Sequence, residues 1–109
     1  MFDKIGQFSS LMKQVGAMKS RMKEIQESLE AERHTADAGG GAVEATVNGK
    51  GELKGLRLGD EAVAAGDREM LEDLIVAAVN AASAKATAAT QQRMSELTGG
   101  MDLGGLLGQ

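Results

Sequence analysis

Between residues 3 and 30 the apolar positions fall at Phe8, Leu11, Val15, Met18, Met22, Ile25 and Leu29. The steps between them alternate three and four residues, as the a and d positions of successive heptads do. This spacing predicts one long helix with a narrow apolar stripe, suited to packing against another helix. Gly6 and Gly16 weaken that helix locally, by ~1 kcal/mol each relative to Ala. No proline interrupts it, because the chain contains none.

The pattern changes over residues 33–58, where Thr35, Val43, Thr46 and Val47 are β-branched and glycines punctuate the segment. Val43-Glu44-Ala45-Thr46-Val47 alternates apolar and polar, the period of a half-buried strand. Gly39-Gly40-Gly41 separates it from a strand before. Asn48-Gly49 predicts a two-residue type I′ hairpin turn, with positive φ at both positions. Leu53 to Leu58 is then the returning strand, with Leu56 and Leu58 on one face. A three-stranded antiparallel meander of this kind has one apolar face and needs a helix or second sheet to cover it.

Residues 60–66 are expected to form a loop or a single helical turn. Asp67 is placed to cap a second long helix, with Glu69, Glu72 and Asp73 in its first turns, where the helix dipole favours acids. Leu71, Leu74, Ile75, Ala78, Val79 and Ala82 form its apolar face. From Ala77 to Ala89 the segment is rich in alanine, the best helix former. Helical from Asp67 to Leu97, it spans about 45 Å at ~1.5 Å per residue. That exceeds what a small sheet needs, so its C-terminal half is expected to project or to pair with something else. The expected architecture is therefore α+β in the order α-β-β-β-α. One domain covers residues 1–98, and residues 99–109 form a flexible tail rich in glycine and leucine.

Composition narrows the chemistry. The chain has 109 residues, with only two aromatics, Phe2 and Phe8, and seven methionines. A chain this short has a thin core, so self-association is favoured, and Met-rich surfaces are adaptable contacts. Cysteine is absent, which removes disulfides, thiolate metal sites and cysteine nucleophiles. No leader and no apolar run of about 18 residues is present, so the protein is expected to be soluble and cytoplasmic, without a membrane partner. His34 is the single histidine. It lacks the partners a metal site or a histidine-based triad needs, and is expected to be structural or solvent-facing. Gly39-Gly41 follows no apolar strand and precedes no helix, so it is a turn and not a phosphate cradle. Neither an enzyme nor a cofactor is expected.

The net charge is −4, yet the charges are segregated. Lys4, Lys13, Lys19, Arg21 and Lys23 lie in residues 4–23 with no acid among them, and Glu24, Glu27, Glu30 and Glu32 follow. This order opposes the helix dipole. The basic stretch reads either as a solvated helix face or as a cationic arm that contacts phosphates. In the second case binding is led by the nucleic-acid backbone and is weakly sequence-selective, since aromatic stacking partners are lacking. A protein–protein adaptor that uses the heptad stripe and the methionines is the alternative.

The chain resembles the YbaB/EbfC family of bacterial nucleoid-associated proteins. The resemblance is carried by Leu11-Met12-Lys13-Gln14 and the Met-rich helix after it, by Val43 to Gly49, and above all by Glu69-Met70-Leu71-Glu72-Asp73-Leu74 continuing through Ile75 to Ala82. It implies a helix–three strands–helix protomer and a homodimer whose long helices project like tweezers. It also implies binding to double-stranded DNA in the cytoplasm, with roles in nucleoid organisation and gene regulation. By position, Lys13, Lys19, Arg21 and Lys23 match the basic part of the family's first helix, and Lys85 and Arg93 match charged positions late in its second. Ala84, Ala86, Ala88 and Ala89 depart from the family, standing where relatives are often more charged.

Overall fold

The protein is seen in a computed structural model that describes residues 2–97 and 99. Apart from Gly99, the expected tail lies outside the described residues. The element order is α1 (Phe2–Ala31), β1 (His34–Ala38), β2 (Val43–Val47), β3 (Leu53–Leu58), α2 (Asp60–Ala64) and α3 (Arg68–Leu97). This is the expected α-β-β-β-α order, with the loop or single helical turn expected at residues 60–66 realised as the short α2.

The strands form an antiparallel meander with β2 in the middle. On β2, Val43, Ala45 and Val47 are fully buried while Glu44 and Thr46 face the other way. Ala78, Ala82 and Ala86 of α3 close over them. These alanines recur every fourth residue, so they share one helix face, and their small size brings α3 close to the sheet. Leu71, Leu74, Ile75 and Val79 pack around this centre, with Ala36 and Ala38 from β1 and Leu58 from β3. On the outer face Thr35 and Thr46 pair across the strands, their hydroxyls 2.9 Å apart.

The cover is incomplete. α3 packs on β1 and β2 and leaves β3 largely bare. Leu56 lies opposite Ala45 and Leu58 opposite Val43, so both are on the apolar face as expected. Leu56 nevertheless stays 44% exposed and Leu53 49%.

The turn after β2 corrects the sequence reading. Among the described residues only glycines have positive φ, and Gly49 is not one of them. The loop is Gly49-Lys50-Gly51. Gly51 N–H donates to the Asn48 carbonyl (3.0 Å) and Gly51 takes φ +84°, the three-residue hairpin closed by a glycine bulge. The Asn48 side chain selects it. Asn48 is fully buried, and its Oδ1 accepts from Lys50 N–H and Glu52 N–H, both at 3.0 Å, while its amide donates to Glu52 Oε1 at 2.8 Å. Gly49 is required for close approach instead of for φ: a Cβ there stands 2.7 Å from Glu32 Oε1 and 2.9 Å from Leu29 Cδ2.

Asp67 caps α3 as expected, its Oδ1 accepting from Met70 N–H at 3.1 Å. α1 takes little part in the core. Its stripe is open to solvent from Phe8 (64% exposed) to Ile25 (49%), and only at Leu29 is it half-buried. A helix of this length reaches about 45 Å, which accounts for the extended 77 × 31 × 19 Å shape.

Candidate nucleic-acid interface

The arm formed by α1 follows from its sequence. Heptad spacing keeps the apolar residues on one side, and good helix formers carry the rest. Lys19 and Lys23, one turn apart, border a shallow surface groove with Val15, Met18 and Met22. Arg21 lies on the opposite flank of the stripe. It lines a second groove of about 430 Å³, between α1 and α3, with Ile25, Leu29, Met94 and Leu97. At about 100° per residue, Lys13 is rotated by about 120° from Lys19 around the helix. The basic set is therefore distributed around the arm rather than gathered in one row. All four side chains are exposed, and none takes part in an ion pair among the described residues.

The two candidate cations on α3, Lys85 and Arg93, are placed differently. Lys85 Nζ donates to the Thr35 carbonyl of β1 at 2.8 Å. Arg93 reaches the residue just after α1, donating to both carboxylate oxygens of Glu32 at 2.5 and 2.7 Å. Glu32 also meets His34 Nε2 at 2.9 Å. Hydrogen bonds from Arg93 and then His34 hold the Glu32 carboxyl below the ordinary carboxylate range, and the same contact raises Arg93. Lys85 and Arg93 thus tie α3 to the β1 end of the fold, while Lys13, Lys19, Arg21 and Lys23 are free of such ties. Arg93 keeps 46% of its side chain exposed.

Sequence reasoning did not single out Glu32. It sits in the acidic run Glu24, Glu27, Glu30 and Glu32, where nothing marks one acid from the next. Among the described residues no cluster of three or more His, Asp or Glu is placed to hold a metal ion, and no helix is long and apolar enough to cross a membrane. What the arm offers is positive charge on an exposed rod, which suits phosphate neutralisation.

A family model described as the YbaB/EbfC DNA-binding family matches residues 4–101. A nucleoid-associated protein of Agathobacter rectalis is 48% identical over 101 residues, covering 93% of this chain and 88% of that one. A nucleoid-associated protein of Gemmatimonas aurantiaca is 44% identical over 103 residues, covering 94% and 92%. Among solved structures, the uncharacterized protein HP0035 from Helicobacter pylori superposes with a TM-score of 0.66 at 25% identity, covering 84% of this chain and 96% of that one.

Proposed function

The chain belongs to the YbaB/EbfC DNA-binding family, and on that premise we propose that it binds duplex DNA as a homodimer with little sequence specificity. Binding alters the conformation of the DNA and serves nucleoid organisation and gene regulation in the cytoplasm. The observation that carries this reading is the acid-free stretch from Lys4 to Lys23 on a helix whose cations are exposed and form no ion pair among the described residues. Lys13, Lys19, Arg21 and Lys23 contact phosphates. Lys85 and Arg93 contribute from α3, the latter through the part of its guanidinium left open beside Glu32. Backbone contacts of this kind carry no base code, hence the weak sequence preference.

A homodimer is supported by apolar surface that the protomer leaves uncovered, namely Leu53 and Leu56 on β3 and the stripe on α1. The bare stripe suits a protein adaptor equally well; family membership favours DNA. The test is a gel-shift titration on two duplexes of unrelated sequence at ~50 mM salt, where phosphate contacts are strong. Binding to both with similar affinity is expected, and no binding to either overturns the reading. Lys19→Glu with Lys23→Glu is expected to weaken binding while the dimer persists. Unchanged binding by that variant moves the interface elsewhere.

A further inference from the structure

We propose that Glu32 is the positioning residue of the α1 arm: its carboxylate, held by Arg93 and His34 together, sets the angle at which α1 leaves the rest of the protein. The consequence for DNA rests on the function proposed above; the positioning itself does not.

Among the described residues, the hydrogen bonds and ion pairs that attach α1 are few and lie at its C-terminal end. Gly49 N–H donates to the Leu29 carbonyl at 2.8 Å. Lys50 Nζ meets Glu30 at 3.0 Å, with the Glu30 side chain half exposed. Arg33 donates to the Glu30 and Glu32 carbonyls, at 2.8 and 2.7 Å, and so closes the helix end on itself. Among the described residues, only the Glu32 side chain joins the root of α1 to two other elements at once, Arg93 on α3 and His34 on β1. The Glu32 side chain is 20% exposed, close to the 17% of His34 and well below the 46% of Arg93 and the 52% of Glu30. Gly49 leaves just enough room for it, because a Cβ at that position meets Glu32 Oε1 at 2.7 Å.

The lever makes this joint matter. Lys13 lies nineteen residues before Glu32, about 28 Å at ~1.5 Å per residue. A swing of about 10° at the root moves it by ~5 Å, more than the ~3.4 Å between phosphates along one strand's axis. A change at Glu32 therefore alters how the arm's charges meet a phosphate row, most of all at Lys13.

A role for Arg93 as a phosphate ligand alone, with no part in holding the arm, makes the opposite prediction for Glu32. Glu32→Gln removes an anion and releases Arg93, so if Arg93 acts chiefly as a phosphate ligand, DNA affinity rises. If Glu32 positions the arm, affinity falls, by about three- to tenfold, although negative charge has been removed. Arg93→Gln is then expected to weaken binding too, and the double variant to be little worse than the weaker single one, since each breaks the same joint.

The direct readout needs no DNA. The chain contains no cysteine, so Ser9→Cys on α1 and Ala81→Cys on α3 can carry spin labels in the full chain, diluted with unlabelled protein so that only one labelled protomer is seen. A narrow distance distribution is expected with Glu32 intact, broadened or shifted in Glu32→Gln and in Arg93→Gln, with circular dichroism confirming that both variants fold. An unchanged distribution, or tighter DNA binding by Glu32→Gln, overturns the proposal. Broadened distances in a protein that does not bind DNA at all uphold the positioning role and reject the DNA function.

Discussion

The Glu32 carboxylate and the Arg93 guanidinium, 61 positions apart in the chain, meet in two hydrogen bonds of 2.5 and 2.7 Å. Arg93 and His34 lower the carboxyl's pKa from its ordinary 4.5. A carboxylate depressed in the folded state adds stability above its unfolded value, and that stability is lost as pH falls through the folded value. Urea unfolding is therefore expected to separate the native protein from Glu32→Gln by a constant amount near neutrality. The gap shrinks at acidic pH below the ordinary carboxylate range. Because the pair is partly open to water, salt should narrow the gap as well. A gap that is independent of pH contradicts the pairing.

Two glycines in one loop should fail for different reasons. Gly49→Ala places a methyl group against Glu32 and Leu29 with no strain in φ, at a cost of ~1–3 kcal/mol from overpacking. Gly51→Ala has nothing within 4 Å of the new Cβ but sits at φ +84°, and should cost ~1–2 kcal/mol from the left-handed backbone alone. Combining Gly49→Ala with Glu32→Ala should recover part of the first loss by making room. The same combination with Gly51→Ala should recover none. Chemical denaturation of the single and double variants checks both statements.

Much of this architecture was legible in the sequence, because its signals are local. The alternation from Val43 to Val47 fixes which side chains enter the core, and Asp67 caps α3 through a hydrogen bond only three residues long. The hairpin tip departs from its sequence signal for a reason of another kind. Asn48-Gly49 is a strong turn signal, yet here the asparagine spends its side chain on Lys50 and Glu52 and the glycine yields space to α1. Neither use is visible without the third dimension. Of the six candidate cations, the four on α1 are exposed and unpaired, as an acid-free stretch allows. The engagement of Lys85 with Thr35 and of Arg93 with Glu32 depends on how α3 crosses the sheet, which periodicity does not encode. The bare face of β3 is equally invisible in sequence, since Leu56 has the same pattern whether or not a helix covers it.

The alanine face of α3 should tolerate little. Ala82 is fully buried against the sheet, and Ala82→Leu should cost ~1–3 kcal/mol by forcing α3 away from β2. Ala81→Leu, on the exposed side of the same helix, should be close to neutral. A shared loss at both positions, measured by thermal unfolding, contradicts the close packing of α3 on the sheet.

Asn48 should be the costliest polar residue to truncate. Asn48→Ala leaves the Lys50 and Glu52 N–H groups without their acceptor in a confined loop, at ~1–3 kcal/mol for each group kept from water. Asn48→Asp retains that acceptor but loses the donor to Glu52 and sets two carboxylates together. It should therefore be rescued progressively at low pH, which urea midpoints across the acid range can follow.

The most direct test of the DNA function is the salt dependence of duplex binding, compared between the native chain and Lys19→Glu/Lys23→Glu. For contacts led by phosphates, log K falls linearly with log salt, with a slope of about −0.9 for each phosphate neutralised. A steep slope is expected for the native protein, and a weaker affinity with a shallower slope for the variant. Equal slopes and equal affinities in the two proteins contradict the assignment of the α1 arm as the DNA contact.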